Sequence, residues 1–430
     1  MTNNSNQRSG NGHHNGNGGK SRVVITGLGV VSPIGTGRTE FWNNILDGTS
    51  PVNYVTRFNA DDLPTRIGAE IKNFASASYL SENDMRRFDE TAQYAYVAAR
   101  LALDDGKVDL DAVNRERVGV IIGSSHGPIK AMEREIGVVG TAGMHSVSPF
   151  AMANASTNIA PGLIALKLGL KGPNFAMVSA CASGTHSIGA AYDSVALNRA
   201  DLMLAGGTEA CITRFIFSGY CFISAMSRRN QEPVKACRPF DANRDGFVMS
   251  EGAGLVLLEE LNHALARGAH IYAEVIGYGA CNDAVHVTNL SRRGVGVRKA
   301  MELAIQDAGI GLDDIDYINT HGSSTVLADR CESAAIKDLF KERTRKLLIN
   351  STKSITGHMM GASGGVEALV CALSLQERTV HATLNYDTFD PNCDLEGITN
   401  QVVKKDIRYA LSNSIGFGGA NSSLVFKRYE

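Results

Sequence analysis

Short apolar segments alternate with helical patterns along most of this 430-residue chain, and this alternation restricts the fold more than any other feature. The apolar segments predict strands at residues 118–122, 202–205, 254–258, 272–276, 317–320, 347–350 and 423–426. The helical patterns between them fall at residues 91–104, 187–197, 297–307, 332–340 and 366–375. Strands that alternate with helices predict an α/β protein with mixed, buried sheets.

Four of the predicted strands end in small or polar residues and pass into a turn, at residues 178–181, 319–322, 350–353 and 413–419. In α/β folds, chemistry gathers beyond the carboxyl ends of the strands. We therefore expect these four turns to line one site. Their recurrence also indicates two similar halves, residues 22–275 and 276–430, within one compact body.

Composition excludes several classes of function. The net charge of −2 and the pI near 6.6 give no support to nucleic-acid binding. The eight cysteines contain no Cys-x-x-Cys pair, which favours a reducing cytoplasm over secretion. No apolar run approaches the ~18 residues of a membrane span. Residues 1–21 are rich in Asn, Gly, Ser and His, and we expect this tail to be disordered.

The first ordered segment is an apolar strand that begins after Arg22 and contains Gly27-Leu28-Gly29. The two glycines are interpreted as the start of a Gly-rich turn. A dinucleotide-binding loop is disfavoured, because Ser32 stands where a third glycine is needed and Pro33 follows at once.

Cys181 stands between an apolar strand and a helix of mostly small residues, in the sequence SACASG. The start of a helix favours an anion, so this position is expected to lower the pKa of the thiol and to make a nucleophile. The alternative is a buried structural cysteine.

Two histidines, His321 and His358, are each adjacent to glycine in a predicted turn. A single histidine of this kind is more often structural. Two of them together with Cys181 favour a shared catalytic site. Zinc ligation by the three residues is disfavoured, because no pair has a close ligand spacing such as His-x-x-x-His.

The turn Gly416-Phe417-Gly418-Gly419 suits a different task. Glycines allow backbone N–H groups to approach a ligand closely, and such donors stabilise an oxyanion. Phe417 is a candidate gate, and its alternative is a core phenylalanine in a flexible turn.

These motifs together resemble the β-ketoacyl-[acyl-carrier-protein] synthases, and most closely the elongating type II synthases of fatty acid and polyketide assembly. The resemblance runs from about residue 22 to residue 427 and rests on SACASG, THGSST, NSTKSITGHMMGASGG, NSIGFGGANSSLVF, RVVITGLGVVSPIG and RPFDANRDGFVMSEGAG. It implies a thiolase-like duplicated fold, layered αβαβα with two mixed sheets.

The resemblance also assigns roles to individual residues. It implies the nucleophile at Cys181, the catalytic histidines at His321 and His358, a lysine of the catalytic set at Lys353, a structural acid at Glu367, oxyanion donors on the backbones of Cys181 and Phe417, and pantetheine contacts at Ser323 and Thr325. A starter-unit synthase would carry Asn at position 358, and a thiolase would use a second cysteine near the C-terminus. The first difference favours an elongating enzyme, and the second argues against a thiolase.

The implied reaction is a decarboxylative Claisen condensation of malonyl-acyl-carrier-protein with an acyl chain held on Cys181. No cofactor or metal is expected, and the partners are an acyl carrier protein and a second subunit, as homodimer or as heterodimer with a chain-length factor. Carrier docking is implied for Arg86, Arg87, Arg228 and Arg229. The open alternative is a chain-length partner without condensing activity, although such partners lack the nucleophilic cysteine.

The sequence departs from the family at one position that bears on substrate choice. His126 stands where fatty acid elongators usually have an aliphatic residue in the wall of the acyl pocket. A polar ring there disfavours a long saturated chain. Specialised polyketide or polyene assembly is therefore a second candidate pathway beside fatty acid elongation.

Overall fold

The structure is a computed structural model that describes residues 20–72, 74 and 76–430. Of the expected disordered tail, residues 1–19 lie outside the described residues. Lys20 and Ser21 are described and contact the body of the protein. The Lys20 ammonium lies 2.5 Å from a carboxylate oxygen of Asp307, and the Ser21 N–H donates to the Ala196 carbonyl at 2.9 Å.

The described residues form fifteen strands and thirteen α-helices. The strands are β1 (Val23–Ser32), β2 (Gly35–Thr36), β3 (Asn53–Tyr54), β4 (Ile67–Gly68), β5 (Val118–Gly123), β6 (Asn174–Met177), β7 (Leu202–Glu209), β8 (Gly252–Glu260), β9 (Ala273–Asn282), β10 (Tyr317–Asn319), β11 (Leu348–Asn350), β12 (Thr379–Val380), β13 (Val403–Lys404), β14 (Tyr409–Gly416) and β15 (Ala420–Arg428). The helices are α1 (Arg38–Asp47), α2 (Glu82–Arg87), α3 (Glu90–Asp105), α4 (Ile129–Ala142), α5 (Ala151–Asn154), α6 (Ile159–Leu168), α7 (Ser183–Ala196), α8 (Arg214–Phe222), α9 (Leu261–Ala266), α10 (Val295–Ala308), α11 (Val326–Phe340), α12 (Lys353–Thr356) and α13 (Ser363–Glu377).

The long strands repeat one topology twice. The first half orders its strands β6-β5-β7-β8-β1, and the second half orders them β11-β10-β14-β15-β9. In both halves the order is third, second, fourth, fifth, first, with the first three neighbours parallel and the last two pairings antiparallel. The expected duplication is therefore confirmed by the strand order.

The two five-stranded sheets are joined by one short ladder. At the start of β1, three residues pair with β9, namely Val23 with Val275, Val24 with Glu274 and Ile25 with Ala273. This ladder joins the two five-stranded sheets into one continuous sheet of eleven strands, which includes β2. The boundary expected between residues 275 and 276 falls inside β9.

Helices and sheets form five layers. Helices α7 and α13 lie in the centre and contact strands of both halves. Helices α3 and α6 cover the outer face of the first sheet, and α10 and α11 cover that of the second. The central helices are buried along most of their length, as their small and apolar residues require. No helix among the described residues has the length and apolarity to span a membrane.

The glycines of the first strand have a packing role that differs from the predicted turn. Strand β1 continues through Gly27 and Gly29 without a break. A Cβ atom on Gly27 would lie 2.1 Å from the carbonyl oxygen of Ala102, and one on Gly29 would lie 1.9 Å from that of Ala98. The turn prediction is wrong because these glycines allow α3 to lie directly on the strand.

Candidate active site

Cys181 lies in a tight turn between β6 and α7. The preceding residue, Ala180, has a φ of 51°, in the left-handed region that a side chain rarely adopts. The Ser183 hydroxyl braces the turn, because it accepts from the Ser179 N–H at 2.9 Å and donates to the Ala180 carbonyl at 2.6 Å. The thiol therefore stands two residues before the start of α7, as the sequence predicts.

The protonation of this thiol differs from the sequence-based expectation. Burial raises the pKa of Cys181 to about 12, although the positive charge of Lys353 opposes this rise. The expected lowering is wrong because desolvation of the thiolate outweighs the favourable charges around it. The resting residue is a thiol that must give up its proton as it reacts.

His321 follows β10 in a turn held by a buried carboxylate. Its backbone N–H donates to Glu332 Oε1 at 2.8 Å, and the N–H of Gly322 donates to Oε2 at 2.8 Å. Burial, followed by the charge of Lys353, lowers the pKa of His321 well below its usual value. Its Nδ1 is buried and has no hydrogen-bond partner among the described residues. The ring is therefore neutral.

His358 follows α12 and is fixed more firmly. Its Nδ1 accepts from the Met360 N–H at 3.2 Å and lies 3.1 Å from the Ser363 hydroxyl. Burial and the charge of Lys353 lower its pKa well below the usual value. Because Nδ1 is an acceptor, the neutral ring carries its hydrogen on Nε2. The ring centroids of His321 and His358 are 5.3 Å apart.

Lys353 and Glu367 form a buried ion pair beside these histidines. Both side chains are 1% exposed. Burial raises the pKa of Glu367 to about 7 against the opposing effect of Lys353. The Cys237 thiol donates to the Lys353 carbonyl at 2.9 Å. The lysine acts on the site through its charge.

One cavity of about 350 Å³ unites three of the four predicted turns. Its wall includes Cys181, Tyr220, Phe247, Leu290, His321, Ser323, Thr325, His358, Met360, Ile415, Gly416 and Phe417. The Ser323 and Thr325 hydroxyls lie 2.9 Å apart on this wall. The fourth turn, which carries Lys353, lies behind the histidines and does not line the cavity.

The Phe417 turn packs against the backbone of the cysteine turn. A Cβ atom on Gly416 would lie 2.4 Å from the Ser179 carbonyl oxygen and 3.4 Å from the Cys181 nitrogen. The Phe417 side chain is 39% exposed and lines the cavity. Its turn is tied to a neighbouring loop, since the Gly418 N–H donates to the Val287 carbonyl at 2.7 Å. The exposed side chain of Phe417 suits a gate. The turn also places the backbone at Gly416 directly beside the backbone of Cys181.

His126 does not line this cavity. Tyr220, from α8, stands on the wall, and its hydroxyl lies 3.3 Å from His126 Nε2. Sequence reasoning missed Tyr220 because it does not follow a predicted strand. Only the position of α8 in the folded chain brings it to the site.

Glu209 was also missed, although it ends β7 and is fully buried. Its Oε1 accepts from the His126 N–H at 3.1 Å and the Ser124 hydroxyl at 3.2 Å, and its Oε2 accepts from the N–H groups of Ser125 at 2.7 Å and Gly361 at 3.0 Å. The ligand atoms of His126, Glu209 and Cys211 lie within 4.8 Å of one another. Four donors already occupy the carboxylate, which argues for a structural role over metal ligation.

The four predicted docking arginines all lie in the first half. Arg86 and Arg87 are exposed on α2, and the Arg87 guanidinium lies 4.7 Å from the centroid of the Phe150 ring. Arg228 is exposed near the cavity mouth, where its N–H donates to Asp245 at 2.9 Å. Arg229 is half-buried and donates to the Asn243 carbonyl at 3.2 Å.

Comparison with known proteins agrees with this geometry. Residues 20–264 match the family described as Beta-ketoacyl synthase, N-terminal domain, and residues 272–387 match Beta-ketoacyl synthase, C-terminal domain. The chain is 44% identical over 409 residues to the 3-oxoacyl-[acyl-carrier-protein] synthase 2 of Coxiella burnetii (strain RSA 493 / Nine Mile phase I), covering 95% of this chain and 99% of that protein.

Two solved structures share the fold at a TM-score of 0.89. One is the ishigamide ketosynthase/chain length factor, with 31% identity over 96% of this chain and 100% of that chain. The other is AntDE:AntF, a type II PKS acyl-carrier protein in complex with its ketosynthase bound to the hexaketide, with 34% identity over the same shares. With one cavity that gathers Cys181, His321 and His358, the chain belongs to the beta-ketoacyl synthase family.

Proposed function

We propose that this protein catalyses the decarboxylative condensation of a malonyl-acyl-carrier-protein with an acyl chain held on Cys181, and releases a 3-oxoacyl-acyl-carrier-protein. The observation that carries this proposal is the single cavity lined by one thiol, two neutral histidines and a glycine-rich turn. The relatives named as 3-oxoacyl-[acyl-carrier-protein] synthases support it.

The first step transfers the acyl group. The Cys181 sulfur attacks the thioester carbonyl of the acyl carrier, and the bond between that carbonyl and the pantetheine sulfur breaks. The thiol proton passes to the departing sulfur. His321 suits this relay, because its Nδ1 has no partner among the described residues and its ring can exchange which nitrogen carries hydrogen.

The second step forms the carbon–carbon bond. The malonyl thioester loses CO₂, and its oxygen becomes an enolate that accepts hydrogen bonds from the two histidines. His358 is prepared for this role, since its hydrogen is held on Nε2. The enolate carbon attacks the acyl-cysteine carbonyl, and the backbone N–H groups of Cys181 and Phe417 receive the oxyanion. Cleavage of the carbon–sulfur bond returns the thiolate, which takes up one proton.

The arm that delivers both substrates contacts the hydroxyls of Ser323 and Thr325. No cofactor takes part, because loss of CO₂ supplies the driving force. Lys353 and Glu367 keep the two histidines neutral and in place. The eight unpaired cysteines suit a reducing compartment, which supports a cytoplasmic location.

An acyl carrier protein docks on the arginines of the first half in this proposal. Exposed Arg228 at the cavity mouth and exposed Arg86 and Arg87 on α2 provide positive charge for an acidic carrier. Arg229 contributes less, because its guanidinium already donates a hydrogen bond to the Asn243 carbonyl. The ketosynthase in the AntDE:AntF structure is in complex with a carrier, which supports this part of the proposal.

A second ketosynthase-like subunit covers the edge of the sheet at β6. This strand ends the sheet, and Phe175 within it and Val178 directly after it are 41% and 62% exposed. An uncovered edge strand with exposed apolar residues favours pairing with another chain. The mass of the purified complex distinguishes a homodimer from a heterodimer with a chain-length factor, the arrangement named in the ishigamide structure.

The pathway is either fatty acid elongation or type II polyketide or polyene assembly. The acyl donor that the enzyme prefers distinguishes these pathways. His126 lies behind Tyr220, outside the cavity, and holds the Tyr220 hydroxyl at the cavity wall, so the polar phenol favours a short, unsaturated or oxygenated chain over a long saturated one. A competition between matched saturated and polyunsaturated acyl carriers tests this, and His126→Ile is expected to move the preference toward the saturated chain.

The reaction is tested with the Cys181→Ala and Cys181→Gln variants. Wild-type protein gains the mass of one acyl group on Cys181 and converts malonyl carrier to product, whereas Cys181→Ala does neither. Cys181→Gln keeps decarboxylation, because its amide resembles the acylated state while both histidines remain. An acyl adduct on another residue, with Cys181 unmodified, would refute the assignment.

A further inference from the structure

Three polar side chains form a relay that ends at the cavity. Glu209 Oε1 lies 3.5 Å from His126 Nδ1, and His126 Nε2 lies 3.3 Å from the Tyr220 hydroxyl. Tyr220 lines the same cavity as Cys181. The relay therefore runs from a fully buried carboxylate, through an imidazole, to a phenol beside the reacting thiol.

The surroundings of Tyr220 fix its ring in place. Its centroid lies 5.3 Å from that of Phe247 at an interplanar angle of 83°, and 6.2 Å from that of Phe417. Phe247 in turn lies 5.4 Å from the His358 ring. The Tyr220 ring thus packs against the candidate gate, Phe417, and against Phe247, which in turn contacts His358.

The protonation of His126 determines whether the Tyr220 hydroxyl donates its hydrogen to the imidazole or into the cavity. Burial lowers the pKa of His126, but the negative Glu209 carboxylate 3.5 Å from Nδ1 outweighs it and holds the pKa above its usual value. Burial raises the pKa of Tyr220, so the phenol keeps its proton. A protonated imidazole donates from both nitrogens. When the imidazole is protonated, His126 donates to the Tyr220 oxygen, which leaves the phenol hydrogen available to the cavity.

We propose that Tyr220, oriented by His126 and Glu209, is a hydrogen-bond donor that recognises an oxygen atom on the acyl chain. The ligand class is an acyl group with a hydroxyl or carbonyl along its chain. Most of the wall around the phenol is apolar, including Phe247, Met360 and Ile415, so a purely saturated chain leaves the phenol hydrogen without a partner. This inference rests on the proposed function, because it concerns the chain carried by Cys181.

The test measures the rate at which Cys181 is acylated by pantetheine thioesters. The probes are hexanoyl-pantetheine and its 3-, 4- and 5-hydroxy isomers, and the readout is the mass of the intact protein over time. We expect at least one hydroxy isomer to react faster than the hexanoyl thioester in the wild type. In Tyr220→Phe this preference falls about tenfold, which corresponds to about 1.4 kcal/mol.

The chain offers a matched control in Tyr278. Its hydroxyl lies 2.7 Å from His186 Nδ1, and the two rings pack edge to face at 89°, but neither residue lines the cavity. Tyr278→Phe removes the same kind of pair and is expected to keep the wild-type preference. His126→Leu serves as a second variant and is expected to lower the preference by a smaller factor, because Tyr220 loses its orientation.

The outcomes separate the two claims. If Cys181 is acylated but the preference is the same in wild type and folded Tyr220→Phe for every isomer, the role of Tyr220 is overturned while the proposed function stands. A wild type that shows no preference for any hydroxy isomer also overturns it. If no thioester acylates Cys181, the proposed function fails and this inference fails with it.

Discussion

The turn after the second strand of each half carries a histidine, His126 after β5 and His321 after β10. Both turns use the same support. The His126 N–H donates to Glu209 at 3.1 Å, and the His321 N–H donates to Glu332 at 2.8 Å. In each half a buried glutamate replaces the missing backbone partners at the end of a strand.

The two imidazoles meet opposite charges. The Glu209 carboxylate raises the pKa of His126 against the effect of burial, whereas burial and the charge of Lys353 lower that of His321 well below its usual value. The backbone support is shared, and burial lowers the pKa of both rings, but only at His126 does a neighbouring charge outweigh this effect. In the proposed function one half thus orients a tyrosine at the cavity wall and the other provides a catalytic histidine.

The largest expected effect tests this division directly. His321→Ala is expected to lower kcat/KM for condensation by about 10²–10³-fold, because it removes a donor to the developing enolate. His126→Ala removes only a contact to Tyr220 from behind the cavity wall, and its loss is expected to stay below about tenfold with a saturated substrate. Steady-state kinetics with purified carriers measures both, and equal losses in the two variants would contradict the comparison.

The ion pair of Lys353, the residue whose charge helps to lower the pKa of His321 and His358, is expected to stabilise the fold. Lys353→Met leaves Glu367 unpaired and buried, and should lower the free energy of unfolding by about 3–5 kcal/mol. The double variant Lys353→Met/Glu367→Gln should regain most of this loss. Denaturant unfolding of the three proteins measures it, and a double variant no more stable than the single one would contradict the pairing.

The same glutamate gives this loss a pH dependence. Burial raises the pKa of Glu367 from the ordinary 4.5 to about 7, so between these values the folded state binds a proton that the unfolded state has released. Stability from this group therefore falls as pH rises from 4.5 to 7. The loss in Lys353→Met is expected to be smaller at pH 5 than at pH 8.

The variant Glu209→Gln tests whether the Glu209 carboxylate raises the pKa of His126 in the first half. Without the carboxylate, burial alone acts on the imidazole, and the pKa of His126 is expected to fall below 6.5. In the wild type the raised pKa adds stability that is present below 6.5 and is lost as pH rises through the folded pKa, and the variant lacks this increment. NMR titration of the imidazole resonances measures the shift. Glu332→Gln, the matching change in the other half, should leave His126 unaffected.

The smallest expected effect concerns the arginines, which all lie in the first half. Arg228→Glu with Arg229→Glu is expected to lower carrier-dependent turnover by roughly tenfold at low ionic strength, and by less as salt is added. The matched control reverses the exposed pair Arg345 and Lys346 of the second half. Equal losses in the two double variants would show that overall charge, and not docking, is responsible.

The sequence located the residues that follow strands and missed those brought in by topology. Cys181, His321 and Phe417 each stand in a turn of small residues after an apolar strand, a pattern visible in a short stretch of sequence. Tyr220 comes from the last turn of α8 and Glu332 from α11, and the approach of both helices to the site depends on the packing of the whole chain.

Two errors have the same physical origin. The pKa of Cys181 was expected to fall because its helix is visible in the sequence, while the burial that raises it is not. Gly27 and Gly29 were assigned to a turn because glycine favours turns. Their actual role depends on α3, which lies about seventy residues further along the chain. Local patterns predict local geometry, and burial and close packing are properties of the assembled fold.

The short ladder between the halves has a consequence for the connectivity of the chain. Ala273, at the start of β9, pairs with Ile25 of the first strand on one side and with Arg428 of the last strand on the other. The beginning and the end of the fold therefore meet where one half gives way to the next. A circular permutant that joins these ends and opens the chain between α9 and β9 would keep every strand pairing, so the pairings do not require the order of the two halves along the chain.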